Sequence, residues 1–193
     1  MSRSKKVWIL AVAVIAAALF LIVYQMLVVT EMAGYHRRPG PTEDIFKTLG
    51  TVTAFVGAGS FCWLWFKKQR KTPRLILRRI GALLHQLHQP LGWLALGLVA
   101  FHGGYFLITD IRNRDIYSGI AAFLILLAIA GYGLFINRIR NKWMRLVHRT
   151  LGIAWVPALL IHAGGSAVMA TFLTILVGAL MRIFGKMSAK QAG

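Results

Sequence analysis

The sequence predicts an all-α protein, a bundle of six transmembrane helices with both termini cytoplasmic. Three observations predict it. The chain of 193 residues is 58% hydrophobic and only 15% charged, whereas a soluble domain of this size carries about 25% charge. Six apolar runs approach or exceed the roughly 20 residues that a bilayer-crossing helix needs. The net positive charge is confined to alternate loops.

The six runs are Val7–Val29, Ile45–Phe66, Ala82–Ile108, Ile116–Ile136, Trp143–Ala163 and Ala167–Phe184. The first follows Arg3, Lys5 and Lys6, as the apolar part of a signal peptide would. It exceeds the about 7–15 apolar residues of such a segment, so it reads as a retained helix, with a cleaved signal as the alternative. The connecting loops are short, and residues 1–193 read as a single domain without a flavin or nicotinamide domain. Gly57-Ala58-Gly59 in the second run lacks the strand–turn–helix setting of a dinucleotide fingerprint. It reads as a place where helices approach closely, the usual role of small residues in membranes.

The formal charge of +18 has a topological explanation. Arg3, Lys5 and Lys6 precede the first run. Seven basic residues fall between Lys67 and Arg79, and five between Asn137 and Arg149. Arg182, Lys186 and Lys190 follow the sixth run, and none of these segments holds an acid. The intervening segments carry Arg37, Arg38, Lys47, Arg112 and Arg114 together with all five acids, Glu31, Glu43, Asp44, Asp110 and Asp115. Lys and Arg near helix ends stay on the cytoplasmic side, which places both termini there. The basic excess therefore does not point to nucleic acid. A single cysteine, Cys62, excludes an internal disulfide and a cysteine-based metal cluster. Without a Cys-x-x-Cys-His motif, covalent haem attachment is excluded too.

The chemistry-bearing residues are histidines. His88 and His102 lie in the third run, His148 and His162 in the fifth, and both pairs have the spacing His-x13-His. Fourteen residues are two heptads, so in a left-handed bundle both histidines of one helix face the same neighbour. They stand about 21 Å apart along the axis. One span separates the two helices, so they run in the same direction, and His88 pairs with His148 at one level and His102 with His162 at the other. Imidazole is a common axial ligand of haem iron, and a bis-histidine site suits electron transfer. Two readings compete: structural histidines tied to backbone carbonyls, and metal-ion transport along a histidine path. Ionisable groups within a membrane usually mark function.

Other residues carry weaker signals. His85 lies off the His88 face and reads as a neighbouring donor, a propionate contact, part of a cytoplasmic quinol or flavin site, or a structural histidine. His36 lies in an outer loop with Arg37 and Arg38, as a solvated loop residue or as an acceptor or propionate contact. Arg79 and Arg149 are candidate haem-propionate partners, because a guanidinium fork matches a carboxylate. Trp93 and Trp155 fall between the two histidine levels, as macrocycle neighbours or as ordinary packing. Tyr105, Phe106 and Tyr117 read as interface anchors.

These residues resemble the ferric-reductase-like transmembrane domain found in NADPH oxidases, metalloreductases and the haem subunit of bacterial periplasmic methionine-sulfoxide reductase. That family has a six-helix core with His-x13-His, or nearly so, on its third and fifth helices. The run Trp143-Met-Arg-Leu-Val-His-Arg149 is similar to the start of its fifth helix. The resemblance implies two haem b groups, with His88, His102, His148 and His162 as iron ligands. It points to a haem-only bacterial member in the inner membrane. Such an oxidoreductase would take electrons from a separate flavin reductase, with FAD or FMN supplied by that partner, or from quinol. Oxygen, ferric iron or a periplasmic protein would be the acceptor. The alternatives are a haem-bearing anchor subunit of a larger complex and a haem-free transporter.

Overall fold

The computed structural model describes residues 3–29, 40–67, 75–111, 115–139 and 141–190. His36, Arg37, Arg38, Arg112 and Arg114 lie outside the described residues. Six helices follow in order: α1 (Arg3–Tyr24), α2 (Pro41–Phe66), α3 (Leu75–Thr109), α4 (Ile116–Ile139), α5 (Lys142–Ala163) and α6 (Gly165–Lys190). α1 continues into one wider π-helical turn, Gln25–Val29. No strand occurs among the described residues. All six helices are long and apolar enough to cross a membrane.

Helix is the economical backbone in lipid because each N–H and C=O is satisfied within its own segment. Local chemistry sets several of the ends. Pro41 occupies the first turn of α2, where its missing N–H costs nothing, and Glu43 and Asp44 complement the positive end of the dipole. The side chain of Asn141 accepts the Trp143 N–H at 2.9 Å and starts α5. α5 and α6 meet at Gly164, the one positive-φ glycine among the described residues, at +52°. Its N–H returns to the Leu160 carbonyl at 3.2 Å, and a side chain there would be strained.

The packing makes a ring of four helices, α2 on α3, α3 on α4, α4 on α5, and α5 closing on α2. α1 lies outside against α4 and α5, and α6 lies outside against α2 and α5. Small residues permit close approach: Ala18, Ala121, Ala122 and Ala158 form one core with Ile22, Ile125 and Trp155. A second core joins Ala11, Tyr132, Met144, Val147 and Leu151. Two polar ties fasten α1 to α4: the Tyr132 hydroxyl donates to the Val7 carbonyl, and the buried Gln25 Oε1 accepts the Ser118 N–H at 2.6 Å. The outer faces are apolar, with Phe20, Phe101 and Phe172 at 69%, 71% and 62% exposed. Such a surface suits lipid contact.

Candidate functional site

α3 and α5 stand diagonally opposite in the four-helix ring, and His88 and His102 of α3 meet His148 and His162 of α5. His88 of α3 meets His148 of α5 with ring centres 6.0 Å apart and planes at 86°. His102 meets His162 at 6.1 Å and 75°. The structure thus brings together the two same-level pairs that the spacing implies.

Each imidazole is held from behind. His102 donates from Nδ1 to the Phe46 carbonyl at 2.8 Å, and His148 to the Ile129 carbonyl at 2.9 Å. His162 Nδ1 lies 3.2 Å from the Asp115 carbonyl and 3.3 Å from the Ser118 hydroxyl. His88 Nδ1 lies 3.0 Å from the Ser60 carbonyl and 2.9 Å from the Ser60 hydroxyl. A proton on Nδ1 leaves the Nε2 lone pair for a metal, an arrangement that fixes ring orientation and raises ligand basicity.

The acceptors repeat the spacing of the ligands. Phe46 and Ser60 on α2 are fourteen residues apart, and so are Asp115 and Ile129 on α4. At three of the four carbonyls the residue four positions on is glycine: Gly50, Gly119 and Gly133. A Cβ would stand 2.7 Å from His102 at Gly50, 2.8 Å from His162 at Gly119 and 3.2 Å from His148 at Gly133. A helical carbonyl is already bonded to the N–H four residues on, so the imidazole must approach beside that residue, and glycine opens the way. The sequence reading missed these residues, although the spacing of Gly119 and Gly133 matches that of the histidines.

The separations can be tested against metal chemistry. A metal–imidazole bond of about 2 Å, plus about 1 Å from nitrogen to ring centre, places two trans imidazoles about 6 Å apart. Both pairs have that separation. Beside the His102–His162 pair lies a cavity of about 430 Å³ lined by His102, His162, Gly50, Gly119, Phe106 and Trp155, within the about 300–1,000 Å³ typical of ligand pockets. Its walls are mainly apolar, as a macrocycle requires. Among the described residues no three His, Cys, Asp or Glu side chains cluster to hold an ion. The donor set fits a group that carries its own equatorial ligands and needs two imidazoles.

Trp155 lies on the histidine face of α5, seven residues from His148, and is 8% exposed. Its indole N–H donates to the Ala122 carbonyl at 3.1 Å, and its ring rests on Gly57 of α2, where a Cβ would come within 2.8 Å. The close approach expected at Gly57 is therefore made to a tryptophan. Trp93, grouped with Trp155 from the sequence, differs: it is 45% exposed. Five residues from His88 turn it about 140° away, onto the outer face of α3. Phe106 is no interface anchor, being buried with its ring against His102 at 5.1 Å. Tyr105 stacks on Phe46 at 3.9 Å, and Tyr117 meets Tyr24 edge-on at 5.0 Å. His85 is exposed and stacks on Trp63 with centres 4.5 Å apart. Arg79 and Arg149 are exposed as well, Arg149 directly following His148. Cys62 is a free thiol that shares a hydrogen bond with Thr174 of α6. No family model, curated protein or solved structure matches this chain.

Proposed function

We propose that this chain is a bacterial inner-membrane cytochrome that holds two haem b groups and passes electrons across the bilayer. The observation that carries the reading is the pair of 6 Å imidazole separations, with every Nδ1 committed to a backbone carbonyl. His88 and His148 would hold one iron, and His102 and His162 the other. Held there, haem iron would supply one-electron chemistry at each level.

The protein's own residues orient and insulate. The carbonyls of Phe46, Ser60, Asp115 and Ile129 hold the imidazoles in one tautomer. Phe106 and Trp155 exclude water from the outer cavity. Arg149, beside His148, would pair with a propionate at the inner level, whereas Arg79, nine residues from His88, lies on the opposite face of α3. The basic loops make that level the cytoplasmic, donor side, and His102 and His162 form the acceptor side. Reducing equivalents come from a separate flavin reductase carrying FAD or FMN, or from quinol. Oxygen, ferric iron or a periplasmic protein receives them.

A conduit is distinguished from a haem-bearing anchor subunit in sealed vesicles. The protein is reduced by a flavin reductase on the donor side, with an impermeant ferric chelate on the other. Reoxidation by the chelate alone supports the conduit, and a strict requirement for a further subunit supports the anchor.

A further inference from the structure

We propose that the slot between α2, α5 and α6 binds one acyl chain of an anionic phospholipid, with its phosphate at Arg182. The inference is independent of the haem reading.

The slot is a cavity of about 320 Å³ whose walls include Ala58, Phe61, Trp65, Pro157, Ala170 and Ile175. Its polar wall residues are Thr171 and Thr174, and the Thr174 hydroxyl is already bonded to the Ala170 carbonyl at 2.8 Å. The rest of the wall is mainly hydrocarbon. Along α2 the lining runs from Ala54 to Trp65, eleven residues or about 16 Å. One leaflet of a bilayer core is about 15 Å deep. The slot therefore reaches from mid-membrane to the end of α2, the reach of a single acyl chain.

The Trp65 end of the slot has a headgroup's complement. Gly178 of α6 lets the Trp65 ring lie against the helix, where a Cβ would stand only 2.6 Å from it. The Arg182 guanidinium, one turn further on, sits 5.1 Å from the Trp65 ring centre. Lys67, two residues beyond Trp65, is exposed beside the end of α2. No ion pair joins Arg182 to a described carboxylate. The Trp65 indole N–H is the one buried side-chain polar atom among the described residues without a hydrogen-bond partner. Leaving such a donor unanswered costs about 1–3 kcal/mol. A lipid oxygen would reach this N–H only on a turn of the indole that exposes it to the slot. Cations at the membrane surface favour anionic over zwitterionic headgroups by about 1 kcal/mol each, which selects the lipid class.

The test uses the full chain, delipidated in mild detergent. Dioleoyl-phosphatidylglycerol, dioleoyl-phosphatidylcholine or inorganic phosphate is added back, followed by native mass spectrometry and thermal unfolding. Phosphatidylglycerol is expected to bind at one molecule per chain and raise the unfolding temperature, while phosphatidylcholine and free phosphate do neither. Arg182→Gln should weaken retention about fivefold, the loss of one headgroup cation, and Arg182→Lys should restore it. Ala58→Leu, which fills the slot without touching the charge, should also reduce retention. Equal retention by Arg182→Gln, equal binding of phosphatidylcholine, stabilisation by phosphate alone, or a quinone recovered in place of phospholipid would each overturn the proposal.

Discussion

Gly119 of α4 and His162 of α5 fit together so closely that a methyl group on the glycine would stand 2.8 Å from the imidazole Cε1. The same relation recurs at Gly133 and His148 with 3.2 Å, fourteen residues further along α4. The hydrogen bonds that orient the two α5 imidazoles thus depend on missing side chains on a neighbouring helix.

Gly119→Ala should therefore displace His162 and reduce occupancy of the outer site, at a stability cost of about 1–3 kcal/mol from overpacking. Gly133→Ala should act in the same direction but more weakly. Gly97→Ala and Gly131→Ala, where a Cβ meets nothing within 4 Å, should be neutral or stabilising by up to about 1 kcal/mol. Haem stoichiometry and thermal unfolding of the four variants check the order.

The ring planes at 86° and 75° carry a spectroscopic consequence. Near-perpendicular imidazoles leave the two iron orbitals that they overlap close in energy. The oxidised protein should give strongly anisotropic low-spin ferric resonances for both centres. A rhombic low-spin spectrum, the mark of parallel planes, would contradict that geometry.

Removal of one ligand should be selective. His102→Ala is expected to remove one b-type component and spare the other, and His88→Ala the reverse. Redox titration of the two variants separates the components. Loss of both from either variant, or of neither, would show that the pairs do not act as independent sites.

Ser60 offers a finer perturbation, because its hydroxyl and its carbonyl both lie within 3.0 Å of His88 Nδ1. Ser60→Ala keeps the carbonyl and removes the hydroxyl. It should cost about 0.5–1.5 kcal/mol and move the midpoint potential of the inner component alone.

Gln25 tests how α1 supports the outer level. Its Oε1 accepts the N–H of Ser118, whose hydroxyl lies against His162. Gln25→Leu strands a buried donor and should destabilise the fold by about 1–3 kcal/mol. The outer component should loosen while the inner is unaffected, as titration of both in the variant would show.

The six helices were legible because lipid demands long apolar segments, yet their ends were not. α3 begins at Leu75, seven residues before the apolar run, and α2 at Pro41, four before. Hydropathy reports where lipid touches the chain, whereas backbone hydrogen bonding carries the helix on through Arg78 and Arg79. The histidine pairing was legible because fourteen residues is a whole number of heptads, a property of sequence alone. The same arithmetic separates Trp155 from Trp93, since seven residues return to the histidine face and five do not. The carbonyls that hold the imidazoles were not legible, because any residue supplies a carbonyl. Only their glycine companions leave a mark. The π-helical turn after Tyr24 left none, and it brings Gln25 to Ser118.

The most direct measurement is the absorption spectrum of the purified protein before and after dithionite, with haem counted per chain as the pyridine haemochrome. The account predicts reduced Soret and alpha bands of b type and two haems per chain. It also predicts one haem after substitution of His102, and none when His88 is substituted as well. A chain that folds in the membrane yet shows no reducible bands would contradict it.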